Sequence, residues 1–130
     1  MHLTPAAEAN SPACASVIVH LPATLGKLAL RDTDAQGTAA WGSPTAVLLR
    51  CGVVTPLVSS TTCFTIGGVD WLTERKGTND DVYVLTTYGR FPGIQVVVDG
   101  GTSNPNVVAG LASAVGEIHQ TRKCLASPTS

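Results

Sequence analysis

Charged residues are scarce in this sequence. Its 130 residues include only eight Lys and Arg and nine Asp and Glu, which gives a formal net charge of −1. Nucleic-acid binding needs a stripe of cations that displaces counterions from the phosphates. The basic residues here are scattered, and Arg75-Lys76, one of two adjacent pairs, has Glu74 beside it. We therefore expect no nucleic-acid partner.

Long apolar runs and closely spaced cysteines are also missing. No stretch of 18 apolar residues occurs, which argues against a transmembrane helix in this chain. The absence of a C-x-x-C pair argues against thioredoxin-like and zinc-knuckle chemistry. No motif calls for a cofactor. Since no leader is recognisable at the start, we expect membrane association only through an N-terminal anchor that this chain lacks.

The four cysteines are spread widely along the chain, at Cys14, Cys51, Cys63 and Cys124. An even number at wide, irregular spacing favours two disulfides formed in an oxidising compartment, and four cysteines allow three pairings. The alternative is four buried free thiols, because a free cysteine packs as a small apolar side chain.

Local patterns predict two helices and four strands in one domain. Ser11-Pro12 is typical of a helix start, as is Asn104-Pro105, and apolar residues at helical spacing follow each. Residues 23–45, which are rich in glycine, are interpreted as a loop. The four predicted strands are Ala46–Cys51, Cys63–Trp71, Val82–Tyr88 and Ile94–Val98. We expect a lead-in at 1–11, a domain at 12–125 and a tail at 126–130.

The element order αββββα predicts an α+β fold. A mainly antiparallel four-stranded sheet needs one face covered, and the two terminal helices supply that cover as a second layer. Because such a sheet has open edges, we expect a monomer or a weak homodimer. If the first two strands form a hairpin, Cys51 faces Cys63, and Cys14 is left to pair with Cys124.

A polar cluster is the first candidate site. Asp70 and Arg90 lie at predicted strand ends, and Arg50, Trp71 and Tyr88 are expected nearby. Arginine beside aromatic rings suits a carboxylate, phosphate or sugar ligand. The alternative is a structural salt bridge that holds the strand order.

A second candidate consists of two histidines. His20 and His119 fall near the ends of the two predicted helices, and Glu117 is available as a third metal ligand. The alternative is two ordinary surface histidines, since no H-x-x-x-H spacing occurs. The metal site is accordingly the less favoured of the two readings.

Four strings occur in an order that resembles a known family. They are A-W-G-S-P at Ala40 to Pro44, L-R-C-G-V at Leu49 to Val53, G-V-D-W at Gly68 to Trp71 and T-T-Y-G-R at Thr86 to Arg90. Over residues 12–125 the chain resembles the DUF3515 family, short exported or membrane-anchored actinobacterial proteins of unknown function. The resemblance implies an extracytoplasmic place in the cell envelope, secreted or anchored, and no known activity.

These observations favour a non-catalytic envelope module that binds a protein or a wall component. One alternative is a small hydrolase or ligand-binding enzyme centred on Asp70 and Arg90. The other is a metal-dependent role for His20 and His119.

Overall fold

A computed structural model gives the fold of the chain. It describes residues 6–31, 33, 35–42, 45–53, 62–76, 82–99 and 104–121. In these ranges two helices flank eight strands: α1 (Pro12–Val19), β1 (Thr24–Leu25), β2 (Leu28–Arg31), β3 (Thr38–Trp41), β4 (Val47–Val53), β5 (Thr62–Ile66), β6 (Val69–Lys76), β7 (Val82–Thr87), β8 (Gly93–Asp99) and α2 (Asn104–Val115). The predicted α+β class is confirmed.

One antiparallel sheet contains all eight strands, in the order β1-β2-β3-β4-β8-β7-β6-β5. Strands β1 to β4 form one meander and β5 to β8 another. The two meet where β4 pairs with β8, with Leu49 opposite Val96. The strand β4 is therefore followed in sequence by a strand at the far edge of the sheet.

The prediction of four strands is wrong. Residues 23–45 contain β1 to β3, and the predicted strand Cys63–Trp71 is the hairpin of β5 and β6. Gly26, Gly37 and Gly42 have φ values of 61°, 71° and 96°. Such values are typical of tight turns. These glycines lie in short connections between the strands β1 to β4 and not in the single long loop that was expected.

The helices cover one face of the sheet. Alternate strand residues point to opposite faces, and those of the covered face are buried with the helices. This core includes Val17, Trp41, Leu49, Trp71, Leu85, Val96, Val108 and Leu111. The intervening residues, such as Leu48, Arg50 and Gln95, lie on the opposite face and are half-buried.

The start of α1 follows the predicted capping chemistry. Ser11 precedes α1, and its Oγ accepts the backbone N–H of Ala13 at 3.3 Å. Pro12 occupies the first helical turn, where a missing N–H does no harm. The helix ends at His20, two residues before Pro22.

Cys14 is bonded to Cys51, with their Cα atoms 5.6 Å apart. The predicted pairs Cys51–Cys63 and Cys14–Cys124 are therefore wrong. The strands β8, β7 and β6 lie between β4 and β5, and four inter-strand steps span about 19 Å, too far for a disulfide. Cys63 is also disulfide-bonded, and Cys124 lies outside the described residues.

The start of the described chain packs against the end of β4. The backbone N–H of Glu8 donates to Gly52 O at 2.9 Å, and Ala9 is buried. Gly52 has φ 107°, and a Cβ there would lie 2.4 Å from the carbonyl carbon of Glu8. This close approach of two backbones requires glycine. The predicted tail at 126–130 lies outside the described ranges.

Candidate functional site

Asp70 anchors a buried polar cluster beside the turn between β5 and β6. The residue is only 4% exposed. Its Oδ1 accepts the hydroxyl of Thr65 at 2.5 Å, and its Oδ2 accepts Nε2 of Gln120 at 2.9 Å. Both carboxylate oxygens are thus bound by protein donors.

Arg90 is the cation of the same cluster and is 8% exposed. Its guanidinium donates to the backbone oxygen of Ile118 and, at 3.4 Å, to that of Gly68. Burial lowers the pKa of Arg90, and the negative charge of Asp70 opposes that shift by raising it.

This cluster fastens the segment after α2 to the sheet. Gly68 belongs to the turn between β5 and β6, whereas Ile118 and Gln120 follow α2. The backbone N–H of Thr121 adds a bond of 2.6 Å to Gly89 O. Removing either charged residue of the cluster would strongly destabilise the fold, because it would leave the other as an unpaired buried charge.

The other residues of the predicted ligand site lie in different places. Trp71 is fully buried on the helix-covered face, and its Nε1 makes no hydrogen bond within the described part of the chain. Tyr88 is half-buried, and its backbone N–H donates to Asp70 O at 2.8 Å. Arg50 lies on β4, three inter-strand steps or about 14 Å from β6. The structure therefore brings Asp70, Arg90 and Tyr88 together but not Arg50, and ligand binding by the cluster stays a prediction.

Two of the three predicted metal ligands, His20 and Glu117, lie near each other. His20 Nδ1 lies 3.8 Å from Glu117 Oε1 and 2.7 Å from Ser16 O, so the ends of the two helices meet. His119 is exposed. Within the described ranges, no group of three His, Cys, Asp or Glu side chains is placed to hold a metal ion.

Phe91 and Val19 are large apolar side chains that are well exposed, and a chain of contacts through the segment after α2 links them. Phe91 is 63% exposed and Val19 is 76% exposed. Phe91 precedes Gly93, which pairs with Val53 at the end of β4. Val19 precedes His20, which contacts Glu117 in the segment that Arg90 holds. We refer to Phe91, Val19 and Glu117 together as the Phe91 end.

A cleft of about 350 Å³ opens between α1 and the turn that joins β2 to β3. Its apolar lining consists of Ile18, Leu21, Leu30, Ala35 and Ala39. Among the polar groups beside it, the hydroxyl of Thr38 is already bound by Ala35 O and Thr33. Leu30 is 39% exposed, so this wall of the cleft is open to solvent.

Sequence patterns missed Phe91, Gln95 and Gln120. A single glutamine within a run of valines marks the solvent side of a strand, so this pattern was available to single out Gln95. Nothing local distinguishes Gln120, because its partner Asp70 lies 50 residues earlier.

Comparison of the chain with known protein families and structures gives a family match. Neither the curated proteins nor the solved structures contain a match to the chain. Neither helix in the described ranges has the length and hydropathy that a membrane crossing requires. The family model described as "Protein of unknown function (DUF3515)" matches residues 1–124. The resemblance seen in the ordered strings is confirmed, and the chain belongs to the DUF3515 family.

Proposed function

We propose that this protein is a non-catalytic interaction module of the cell envelope, and that the Phe91 end contacts its partner. The observation that carries the proposal is the exposure of Phe91, at 63%, on a loop whose neighbours are firmly held. Arg90 before it is buried and bonded to Ile118, and Pro92 after it is buried. A rigidly presented aromatic side chain loses little entropy on binding, which favours its use as an interface anchor.

The disulfide supports an extracytoplasmic location. The bond between Cys14 and Cys51 joins α1 to the central strand β4, and Cys63 is oxidised as well. Structural disulfides are rare in the reducing cytosol and common in exported proteins. Fractionation of the source organism, with thiol alkylation before lysis, tests the location. We expect the protein in the envelope fraction with its cysteines unlabelled, and a cytosolic protein with labelled thiols would contradict it.

The occupied cluster supports a role without catalysis. Both oxygens of Asp70 accept bonds from protein donors, and Arg90 donates to two backbone oxygens. A catalytic carboxylate or guanidinium has to reach its substrate. These two side chains instead hold the segment after α2 in place, which keeps the Phe91 end rigid.

Site-specific photocrosslinking tests the proposed surface. A photoreactive phenylalanine analogue is placed at Phe91 or at Val19 in cells, with Asp99, exposed at the other end of β8, as the matched control position. We expect both test positions to capture the same protein and Asp99 to capture none. The captured protein is then purified, and the Phe91→Ser variant is expected to bind it about thirtyfold more weakly or worse, since buried aromatic anchors contribute about 2 kcal/mol or more.

Two results would contradict the proposal. One is the absence of an adduct at Phe91 and Val19, or equal adducts at all three positions. The other is an unchanged affinity of Phe91→Ser for the purified protein. Thermal unfolding of Phe91→Ser serves as the folding control, and we expect little change because the side chain is exposed.

A further inference from the structure

Three polar side chains form a row on the sheet face opposite the helices. Arg50 on β4 is the register partner of Gln95 on β8, and Gln95 is the partner of Thr86 on β7. Neighbouring strands lie about 4.8 Å apart, so these side chains stand side by side. All three are half-buried. We call them the Arg50 row.

The polar groups of the Arg50 row have no protein partner in the described part of the chain. No hydrogen bond or ion pair involves the Arg50 guanidinium, the Gln95 amide or the Thr86 hydroxyl among the described residues. A guanidinium carries five N–H donors in a planar fork and has no acceptor. Three adjacent side chains therefore present donors toward the same space above the sheet.

Arg31, on the same face of the sheet, has a guanidinium that is hydrogen-bonded within the protein. Its Nη1 donates to Gly42 O and to Thr45 Oγ1, both at 3.0 Å. Arg31 is thus tied to the connection between β3 and β4, whereas Arg50 is not. Among the described side chains, Arg50 therefore offers a guanidinium to a ligand at the centre of the sheet.

An apolar row runs beside the polar one. Leu48 pairs with Val97, and Val97 pairs in turn with Val84 on β7. A depression of about 30 Å³ is lined by Leu48, Leu49, Arg50, Gln95 and Val97. That space holds about two water-sized groups, which suits the head of a carboxylate.

We propose that the Arg50 row binds the carboxylate of a small organic acid. The two carboxylate oxygens pair with the fork of Arg50, and the Gln95 amide and Thr86 hydroxyl donate to them from the side. Arginine is suited to this because its two parallel N–H groups match the spacing of carboxylate oxygens. Leu48 and Val97 contact an apolar group next to the carboxylate. The site goes beyond the proposed partner binding, because it uses other residues than the Phe91 end.

Titration of the whole protein with benzoate, followed by two-dimensional NMR, tests the site. We expect saturable shifts of the Gln95 side-chain amide and the Arg50 Nε–H. Arg50→Gln is expected to weaken benzoate binding about tenfold or more, and Arg50→Lys less, because lysine keeps the charge and loses the fork. Arg31→Gln is the matched control and leaves binding unchanged. Gln95→Leu provides a second variant and also weakens binding.

Benzamide and inorganic phosphate are the comparison probes. Benzamide has the same ring without the charge, so we expect no saturable shift, and phosphate lacks the apolar group, so we expect weaker binding than for benzoate. The proposal is overturned if benzoate shifts do not saturate, if Arg31→Gln weakens binding as much as Arg50→Gln, or if benzamide or phosphate binds as well as benzoate. Benzoate binding that persists in Phe91→Ser separates this site from the proposed partner surface.

Discussion

Replacing both Cys14 and Cys51 by alanine tests the covalent link between α1 and β4. The two residues are 37 positions apart, and for that separation the chain-entropy relation gives a stabilisation of about 3.8 kcal/mol at 25 °C. Both side chains are fully buried, so loss of the sulfurs adds a packing penalty of about 1 kcal/mol. We expect the double variant to lose about 5 kcal/mol of unfolding free energy.

Urea unfolding followed by circular dichroism measures this loss. Thermal unfolding provides a second measure. With an unfolding entropy of about 2.1 cal/mol/K for each of the 130 residues, the entropic part of about 3.8 kcal/mol alone lowers Tm by about 14 °C. The m value should rise, because the unfolded chain without the link expands and exposes more surface. Ala15→Ser, an exposed position on the same helix, is the control. A loss below about 1 kcal/mol with an unchanged m value would refute the entropic reasoning.

Peptide mapping under non-reducing conditions tests the pairing itself. The peptide with Cys14 is expected to be linked to the one with Cys51. Cys63 is also bonded, and Cys124 is then the remaining cysteine of the sequence, so we expect that second link. A link between Cys51 and Cys63 would contradict the strand order, in which β4 and β5 are not neighbours.

Two further substitutions test the packing of the ends. Gly52→Ala should destabilise the protein by about 2 kcal/mol or more, because its Cβ would overlap the backbone of Glu8 at a positive φ. Gly68→Ala is the control, because Gly68 also has a positive φ but a Cβ there would have nothing within 4 Å. Urea unfolding should show that it loses less unfolding free energy, about 1 kcal/mol. Equal losses in the two variants would contradict the overlap with Glu8. Arg90→Met removes the bonds to the segment after α2 and leaves Asp70 without its cation, and we expect a loss of about 3 kcal/mol in the same assay, with Arg90→Lys intermediate. Wild-type stability in Arg90→Met would show that the cluster does not hold the fold.

Local signals were enough to predict the helix starts and several strands. Ser11-Pro12 and Asn104-Pro105 both lie at helix starts, because proline is favoured in the first turn whatever the rest of the chain does, and Ser11 also caps α1. The valine run around Gln95 is a strand for an equally local reason, since β-branched side chains favour extended backbone. These signals depend on a few neighbouring residues, which is why they are readable without a fold.

The candidate site was only partly predictable. The sequence placed Asp70 and Arg90 at strand ends, and the structure does bring them together, but their partners Gln120 and Ile118 lie far along the chain. Arg50 was assigned to the same site, yet the order of the strands moves it away. Which face each strand residue occupies depends on register, and a shift of one residue would exchange the two faces.

Local sequence patterns were sufficient to predict the α+β class, the family, the helix starts and the presence of oxidised cysteines. The eight-stranded order, the bond between Cys14 and Cys51 and the separation of the Arg50 row from the buried cluster depend on long-range pairing and appear only in the folded protein. The physical reason is the pairing of β4 with β8. It joins strands that lie some 40 residues apart and is stabilised by burial of Leu49 and Val96 in the apolar core, which no local pattern encodes.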